Sequence, residues 1–385
     1  MKALIIGAGI GGMSAALALR ACGYQTEVFE SVKQIKPVGA AISIWPNGVK
    51  CLNALGLREE IKALAGNMAW MAYHDFATGN VLTRFSLSPL VERVGEYPSP
   101  VARAELQQML INHYAAEDIR FGKRAIRVEQ HSDGVRVSFD DGSQACGDFL
   151  IAADGTHSVI RDYVRGKPTE RRYAGYVNWN GLVTIDKSVA PDDQWTTFVG
   201  EGKRVSLMPV GGNRFYFFFD VPLAKGLAED RSSLKQDLRR YFSGWAEPVR
   251  KLIELIDPQT TNRVEIHDIE PFMEFVKGRV ALLGDAAHST TPDIGQGGCT
   301  AMEDAIVLAS TLSSHSLGIE DALLRYQNRR NERAKDLILK ARKRCDLTHA
   351  RDPQLTADWY LELRSETGER VLEGMCQTIE GGPLG

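Results

Sequence analysis

The 385-residue chain lacks an excess of either charge: 46 Lys and Arg stand against 49 Asp and Glu, a formal net charge of −3. A nucleic-acid protein would show a basic surplus. A polybasic membrane anchor or an acidic disordered tail would show a block of one sign. Long apolar runs are missing too, none approaching the ~20 residues that span a bilayer. The six cysteines (Cys22, Cys51, Cys146, Cys299, Cys345, Cys376) are scattered and form no CxxC, which leaves neither a disulfide framework nor zinc-ligand spacing. Residues 1–6 lead straight into Gly7 without the apolar stretch of a secretory leader. These absences point to a cytoplasmic protein with reduced thiols. Neither GxSxG nor HExxH occurs, so hydrolase and zinc-protease readings have no starting point. What remains is ordinary globular composition, 44% hydrophobic and 25% charged. At ~150 residues per domain the length suggests two domains or three.

The first thirty residues read as a βαβ unit. Residues 3–6 are a short apolar strand, 13–21 a helix of small and aliphatic residues, and 26–29 a second strand ending at Glu30. Between strand and helix lies GxGxxG at Gly7, Gly9 and Gly12. There glycine permits the tight turn, the close approach of a pyrophosphate and close helix–strand packing, while the helix N-terminus faces the negative charge. Glu30 follows Gly12 at the spacing at which a carboxylate accepts hydrogen bonds from ribose hydroxyls. The alternative is an accidental Gly-rich turn, which leaves the acid a coincidence. Two further apolar runs, 149–153 and 280–283, enter tight turns and suit a parallel sheet covered on both faces. Residues ~171–225 alternate polar and aromatic residues in the manner of antiparallel strands. From Thr300 onward the pattern is helical, and Arg325 to Arg333 reads as a solvated helix face. No second GxGxxG follows a strand.

Two later motifs separate NAD from FAD. They are Asp154-Gly155-Thr156-His157-Ser158-Val159-Ile160-Arg161, and Gly284-Asp285-Ala286-Ala287-His288 running on to Pro292-Asp293-Ile294-Gly295-Gln296-Gly297-Gly298. With the N-terminal GxGxxG, they resemble the flavin-dependent aromatic hydroxylase family (class A FAD monooxygenases) over most of the chain. The resemblance implies a mixed α/β fold: a Rossmann-like FAD-binding domain with an interleaved antiparallel substrate domain, as in hydroxybenzoate hydroxylases. The corresponding division is 1–72, 100–170 and 270–345 for the cofactor, 73–99 and 171–269 for the substrate, and 346–385 as a C-terminal helical segment. It implies FAD contacts at Gly7, Gly9, Gly11, Gly12, Glu30, Ser31, Ser43, Arg103, Ala125, Asp154, Asp285, Gly295, Gln296, Gly297, Gly298 and Cys299. Asp285 would hold the ribityl chain. The glycines after Asp293 would let backbone N–H groups and a helix N-terminus approach the flavin ring, where the reduced form is negative. Arg103 reads otherwise as a surface arginine at a helix start, and Cys299 as a packed thiol. His288 reads as loop support. NADH or NADPH would visit transiently, reduce FAD, and O2 would then form a C4a-hydroperoxide that hydroxylates the substrate.

On the substrate side, Val210 and Arg214 pair across Gly211-Gly212-Asn213, which sets Met208 opposite Tyr216 and Ser206 opposite Phe218. Arg204, Ser206, Met208, Tyr216 and Phe218 then share one sheet face. That face suits a planar, polar, anionic heterocycle; it suits equally an aromatic core with Arg204 at its edge. Asn178 offers a donor and an acceptor to a heterocycle edge, or is an edge-strand asparagine. Asp293 is a candidate general base, or the cap of the following helix. Arg204 and Asp293 are thus the catalytic candidates, with Asn178, Arg204, Tyr216 and Phe218 as substrate-binding candidates. Within the family, these segments are most similar to members that hydroxylate a purine, urate, to 5-hydroxyisourate. A salicylate- or hydroxybenzoate-type hydroxylase and a non-catalytic FAD-binding protein stay open. No metal, nucleic acid or membrane partner is expected.

Overall fold

The computed structural model describes residues 1–34, 41–227, 230–314 and 318–384. Its fold is mixed α/β. Strand Lys2–Ile6 is hydrophobic on both faces and lies mid-sheet, paired in parallel with Gln25–Glu30 on one side and Phe149–Ala152 on the other. Val280–Leu282 extends the sheet beyond Phe149–Ala152 and Ile119–Phe121 extends it beyond Gln25–Glu30. Of the two apolar runs read from the sequence as parallel strands, 149–152 pairs with the first strand and 280–282 lies one strand further out. All three chain segments end at the same sheet edge, so their following turns (Gly7, Asp154, Gly284) converge there. This is the carboxyl edge at which open α/β sheets bind ligands.

A second sheet of seven strands has Asn262–Ile269 at one edge and Val81–Ser86 at the other. At its centre lie Arg171–Val183, Arg214–Pro222, Lys203–Val210 and Gln194–Gly200, all antiparallel. Trp70–Asp75 joins it in parallel with Gln194–Gly200. That strand starts three residues before the boundary expected at 72/73.

The hairpin has the register that alternation required: Val210 opposite Arg214, Met208 opposite Tyr216, Ser206 opposite Phe218. Alternation gives the sheet two different faces. Val205, Leu207, Phe215, Phe217, Phe219, Val177 and Trp179 form one face, a core closed by Leu238, Val249 and Leu252 of two helices, Leu234–Tyr241 and Glu247–Leu255. Asn178, Asn180, Arg204, Ser206, Met208, Tyr216, Phe218 and Asp220 form the other. Met208 and Val210 there pack into the core that contains the parallel sheet. The polar face is therefore pressed toward the nucleotide end of the molecule.

The 30-residue helix Ile319–Thr348 corrects the sequence reading of 325–333 as a solvated face: Tyr326, Arg330 and Asn331 are buried. Arg330 meets Glu303 and Asp304 of the neighbouring helix Gly297–Leu312, which satisfy its charge. No helix among the described residues is long and apolar enough to cross a membrane.

Candidate active site

At the sheet edge the glycine loop is built by close approach. A Cβ on Gly12 would lie 1.9 Å from the Gly7 carbonyl oxygen, so the helix Ile10–Ala21 can pack on the loop only with glycine there. At Gly9, by contrast, a Cβ would meet nothing within 4 Å: the loop faces open space. No side chain caps the helix at Gly9, which leaves first-turn N–H groups for an anion. Glu30, the last residue of its strand, accepts from Ala8 N–H at 2.8 Å through Oε2, and from Ser31 Oγ and Val32 N–H at 3.0 Å through Oε1. Its carboxylate thus sits against the loop, as a ribose contact requires. Gln107 Nε2 donates to Ala8 O at 2.8 Å, tying the helix Arg103–Tyr114 to the same loop. Arg103 is exposed at the head of that helix and has no carboxylate partner among the described residues.

The other two motifs are locked together by Arg161, which is buried. Its guanidinium donates to the backbone carbonyls of Thr156 (2.9 Å), Asp285 (3.3 Å) and Ala286 (3.4 Å). Ser289 and Thr156 share a further hydroxyl contact at 2.7 Å. The Asp285 side chain remains exposed beside them. Asp154 is nearly enclosed; burial pushes its carboxyl up, and Val159 N–H approaches Oδ2 at 3.2 Å.

Gly295 has φ +63°, and a Cβ there would come within 2.7 Å of both Ser43 Oγ and Trp45 Nε1. Among the described residues, Trp45 Nε1 and Thr290 Oγ1 are buried with no hydrogen-bond partner. Buried donors left open around a glycine loop are what a polar cofactor ring would satisfy. An open Gly9, a placed Glu30, a free Asp285 and these orphan donors fit FAD. Gly295→Ala is expected to cost about 1–2 kcal/mol in left-handed backbone strain and to weaken FAD binding. Urea unfolding and flavin fluorescence titration check this; a variant equal to wild type in both would show the loop to be unconstrained.

The polar sheet face carries a continuous row of hydrogen bonds. Asn180 Nδ2 donates to Asn178 Oδ1 (2.5 Å), and Asn178 Nδ2 to Asp220 Oδ1 (2.6 Å). Arg204 donates to Asp220 Oδ2 through Nε (2.8 Å) and Nη2 (2.7 Å), and Nη2 reaches Asp293 Oδ1 at 3.2 Å. Tyr176 Oη donates to Asp293 Oδ2 at 3.0 Å. The Arg204 guanidinium lies 5.0 Å from the Phe218 ring centroid, a cation–π contact. Phe218 and Tyr216 rings are 5.5 Å apart. Burial pushes the Tyr216 phenol well up, so it stays protonated, and its hydroxyl has no hydrogen-bond partner among the described residues. Trp195 Nε1 donates to Ser206 Oγ at 2.6 Å, and its ring lies 6.0 Å from that of Trp45. Trp45 therefore connects the Gly295 loop to the sheet face.

Most of the residues read from the sequence converge here in two groups. Gly7, Gly9, Gly11, Gly12, Glu30, Ser31, Arg103, Asp154 and Asp285 gather at the parallel-sheet edge; Asn178, Arg204, Tyr216, Phe218 and Asp293 gather on the second sheet, with Ser43 and Gly295 between. Four of these residues have side-chain surroundings that narrow what each can offer. The Gln296 carboxamide is buried and accepts from Asn47 Nδ2 at 2.8 Å, so only its backbone is available to a cofactor. Cys299 Sγ is buried and accepts from Trp45 N–H at 3.4 Å, which makes it a packed thiol. Ala125 is buried against the core; its backbone lies near Lys123, whose N–H donates to Glu30 O at 2.8 Å. Burial alone would raise the Asp293 carboxyl, but His349 and Arg204 pull it down to about 2. Arg204 Nη2 at 3.2 Å and the Tyr176 hydroxyl at 3.0 Å engage one oxygen each, which suits Asp293 to the part of counter-ion. His288 Nε2 donates to Asp304 Oδ2 at 2.5 Å and supports the loop.

Asp220, Asn180, Tyr176 and Trp45 were missed. For Asp220 the signal was present: one more step of the hairpin alternation puts it opposite Arg204.

The chain matches the family described as FAD binding domain over residues 1–341. It is 62% identical over 385 residues to the FAD-dependent urate hydroxylase of Klebsiella pneumoniae, covering 100% of both chains. It is 54% identical over 386 residues to that of Mycolicibacterium vanbaalenii, covering 100% of this chain and 98% of the relative. The crystal structure of Klebsiella pneumoniae HpxO complexed with FAD and uric acid superposes with a TM-score of 0.98 at 62% identity, covering 100% of this chain and 98% of that one.

Proposed function

The chain belongs to the FAD binding domain family, and we propose on that premise that it is a cytoplasmic monooxygenase that hydroxylates urate to 5-hydroxyisourate with NADH or NADPH and O2. The observation that carries this reading is the row Asn180–Asn178–Asp220–Arg204–Asp293 on the sheet face turned toward the Gly295 loop. Urate presents alternating N–H donors and carbonyl acceptors at its rim, and such a rim is matched by carboxamides, carboxylates and a guanidinium in sequence. A benzoate-type substrate presents one carboxylate and no rim of alternating donors and acceptors, so it would use only the Arg204 end of the row. The full-length identity to urate hydroxylases supports the same choice.

In this reading the glycine loop, Glu30, Ser31, Arg103, Asp154, Asp285 and the backbone of Gly295, Gly297 and Gly298 hold FAD. Segments 1–69, 100–170 and 270–345 then serve the cofactor, and 70–99 and 171–269 the substrate. Reduced FAD supplies the activated oxygen. Arg204, through Nη1, and the second amide hydrogen of Asn178 fix the substrate rim. Phe218 and Tyr216 pack on its ring and exclude water, and the protonated Tyr216 hydroxyl is a donor for negative charge that develops on the substrate.

Urate should accelerate NADH or NADPH oxidation by the FAD-loaded enzyme with matching O2 uptake and little peroxide. Salicylate and 4-hydroxybenzoate should not. Stimulation by the benzoates but not by urate would replace this reading with the aromatic-acid one; FAD binding without stimulation by any substrate would leave a non-catalytic flavoprotein.

A further inference from the structure

Beside Asp293, against Tyr176 of the same sheet face, stands His349, the C-terminal cap of the helix Ile319–Thr348. Its ring stacks on Tyr176, centroids 3.8 Å apart and planes 24° apart. Nδ1 lies 3.2 Å from the Gly202 carbonyl, which fixes the proton on that nitrogen and aims Nε2 the other way. Nε2 is 3.7 Å from Asp293 Oδ1, buried and without a hydrogen-bond partner among the described residues. The titratable and charged groups packed around His349 are Tyr176, Asp293 and, through Asp293, Arg204. Tyr360 adds to them through Gly202, and Cys345 lies on its own helix.

The charges of this enclosed cluster do not balance. Arg204 contributes one positive charge against Asp220 and Asp293, whose side chains are fully buried. With a neutral imidazole the cluster is net negative, yet the substrate proposed above is an anion. An anion arriving at Arg204 draws the guanidinium's field away from Asp293, and Asp293 then has one cationisable neighbour left. We propose that binding of the anionic substrate completes the protonation of His349, so that His349, acting through Asp293, sets the affinity for that substrate. This rests on the urate reading. A protonated Nε2–H would supply the buried nitrogen with the acceptor it lacks and return the cluster to neutrality before the anion is counted.

The test is calorimetric titration of the FAD-loaded enzyme with urate in phosphate and in Tris, whose ionisation enthalpies differ, between about pH 5 and 8, where imidazoles titrate. The expected result is net proton uptake by wild type, none by His349→Asn, and a urate Kd that weakens up to ~10-fold toward the alkaline end in wild type alone. Uptake persisting in H349N overturns the proposal, as does binding by wild type without uptake. Should H349N fail to fold, Asp293→Asn decides, because it removes the charge that His349 answers while keeping His349: uptake lost supports the proposal, uptake retained overturns it. Urate that produces neither heat nor a change in the flavin spectrum overturns the urate reading and this inference together.

Discussion

Arg330→Ala should lower the unfolding free energy by about 3–5 kcal/mol, the largest effect on stability in the molecule. Arg330 is 1% exposed and sits between two fully buried carboxylates, with Nε 2.7 Å from Asp304 Oδ1 and Nη2 2.9 Å from Glu303 Oε2. Glu303 is shared with Arg333, two bonds at 2.7 Å, and with Asn47 at 2.7 Å. Asp304 accepts from Gly284 N–H at 3.0 Å and meets His288 at 2.5 Å. Removing Arg330 leaves buried negative charge without its central partner, whereas replacing such a network by apolar residues of equal volume can be neutral. The damage is therefore predicted for the single truncation and not for loss of charge as such. The same network holds the backbone at Gly284 and, through Asn47, Gln296, so the variant should also bind FAD more weakly. Urea unfolding and flavin titration measure the two effects; an R330A variant as stable as wild type would show the network to be idle. Acid should act in the same direction. Burial alone would raise the Asp304 carboxyl, but His288 and Arg330 draw it down to about 2. A group depressed below its unfolded value near 3.9 contributes stability that is present above about pH 4 and is lost as pH falls toward about 2. Asp293, also near 2, adds to the same loss.

What the sequence revealed depended on whether partners lay on one element or on several. The glycine loop and Glu30 belong to one βαβ unit, so spacing alone brought them together, and Glu30 does bond the loop at Ala8. The hairpin register followed from a three-residue turn and period-two alternation, and it placed Arg204, Tyr216 and Phe218 on one face. Asp220 lay one step further along the same strand, just past the aromatic run, and was not carried into that face. Arg330 could not be placed from its own helix. Among Arg329, Glu332 and Arg333 it looks like a solvated charge, and only the arrival of Glu303 and Asp304 from another helix makes its burial stable. His349 and Trp45 meet the site in the same way, across contacts between elements that no local pattern encodes. The sequence reading also treated Arg204 as a free cation; two carboxylates from different segments show that its charge is already answered.

Arg204→Ala should lower kcat/KM for urate by ~10²-fold or more, since truncating one member of a buried, hydrogen-bonded charge pair costs about 2–5 kcal/mol and each 1.36 kcal/mol is about tenfold. Two effects add. The substrate loses a donor, because Nη1 has no protein partner among the described residues and is the nitrogen left for it. The site also changes sign: Asp220 and Asp293 become two buried carboxylates with no cation between them, which repels an anion before any contact is made. Arg204→Lys separates the two. It restores a charge but cannot hold Asp220 through two nitrogens while reaching Asp293, so it should recover part of the binding and little of the orientation. In kinetic terms R204K should leave KM closer to wild type than R204A does, with kcat still reduced. Asp220→Asn runs the opposite way. It keeps the shape of the row and removes one negative charge, so KM for urate should not rise as it does in R204A, although Arg204 is less firmly aimed. An R204A enzyme within threefold of wild-type kcat/KM would remove Arg204 from substrate recognition and leave it a buried structural cation. A loss in D220N equal to that in R204A would mean that geometry, not the sign of the charge, governs binding at this face.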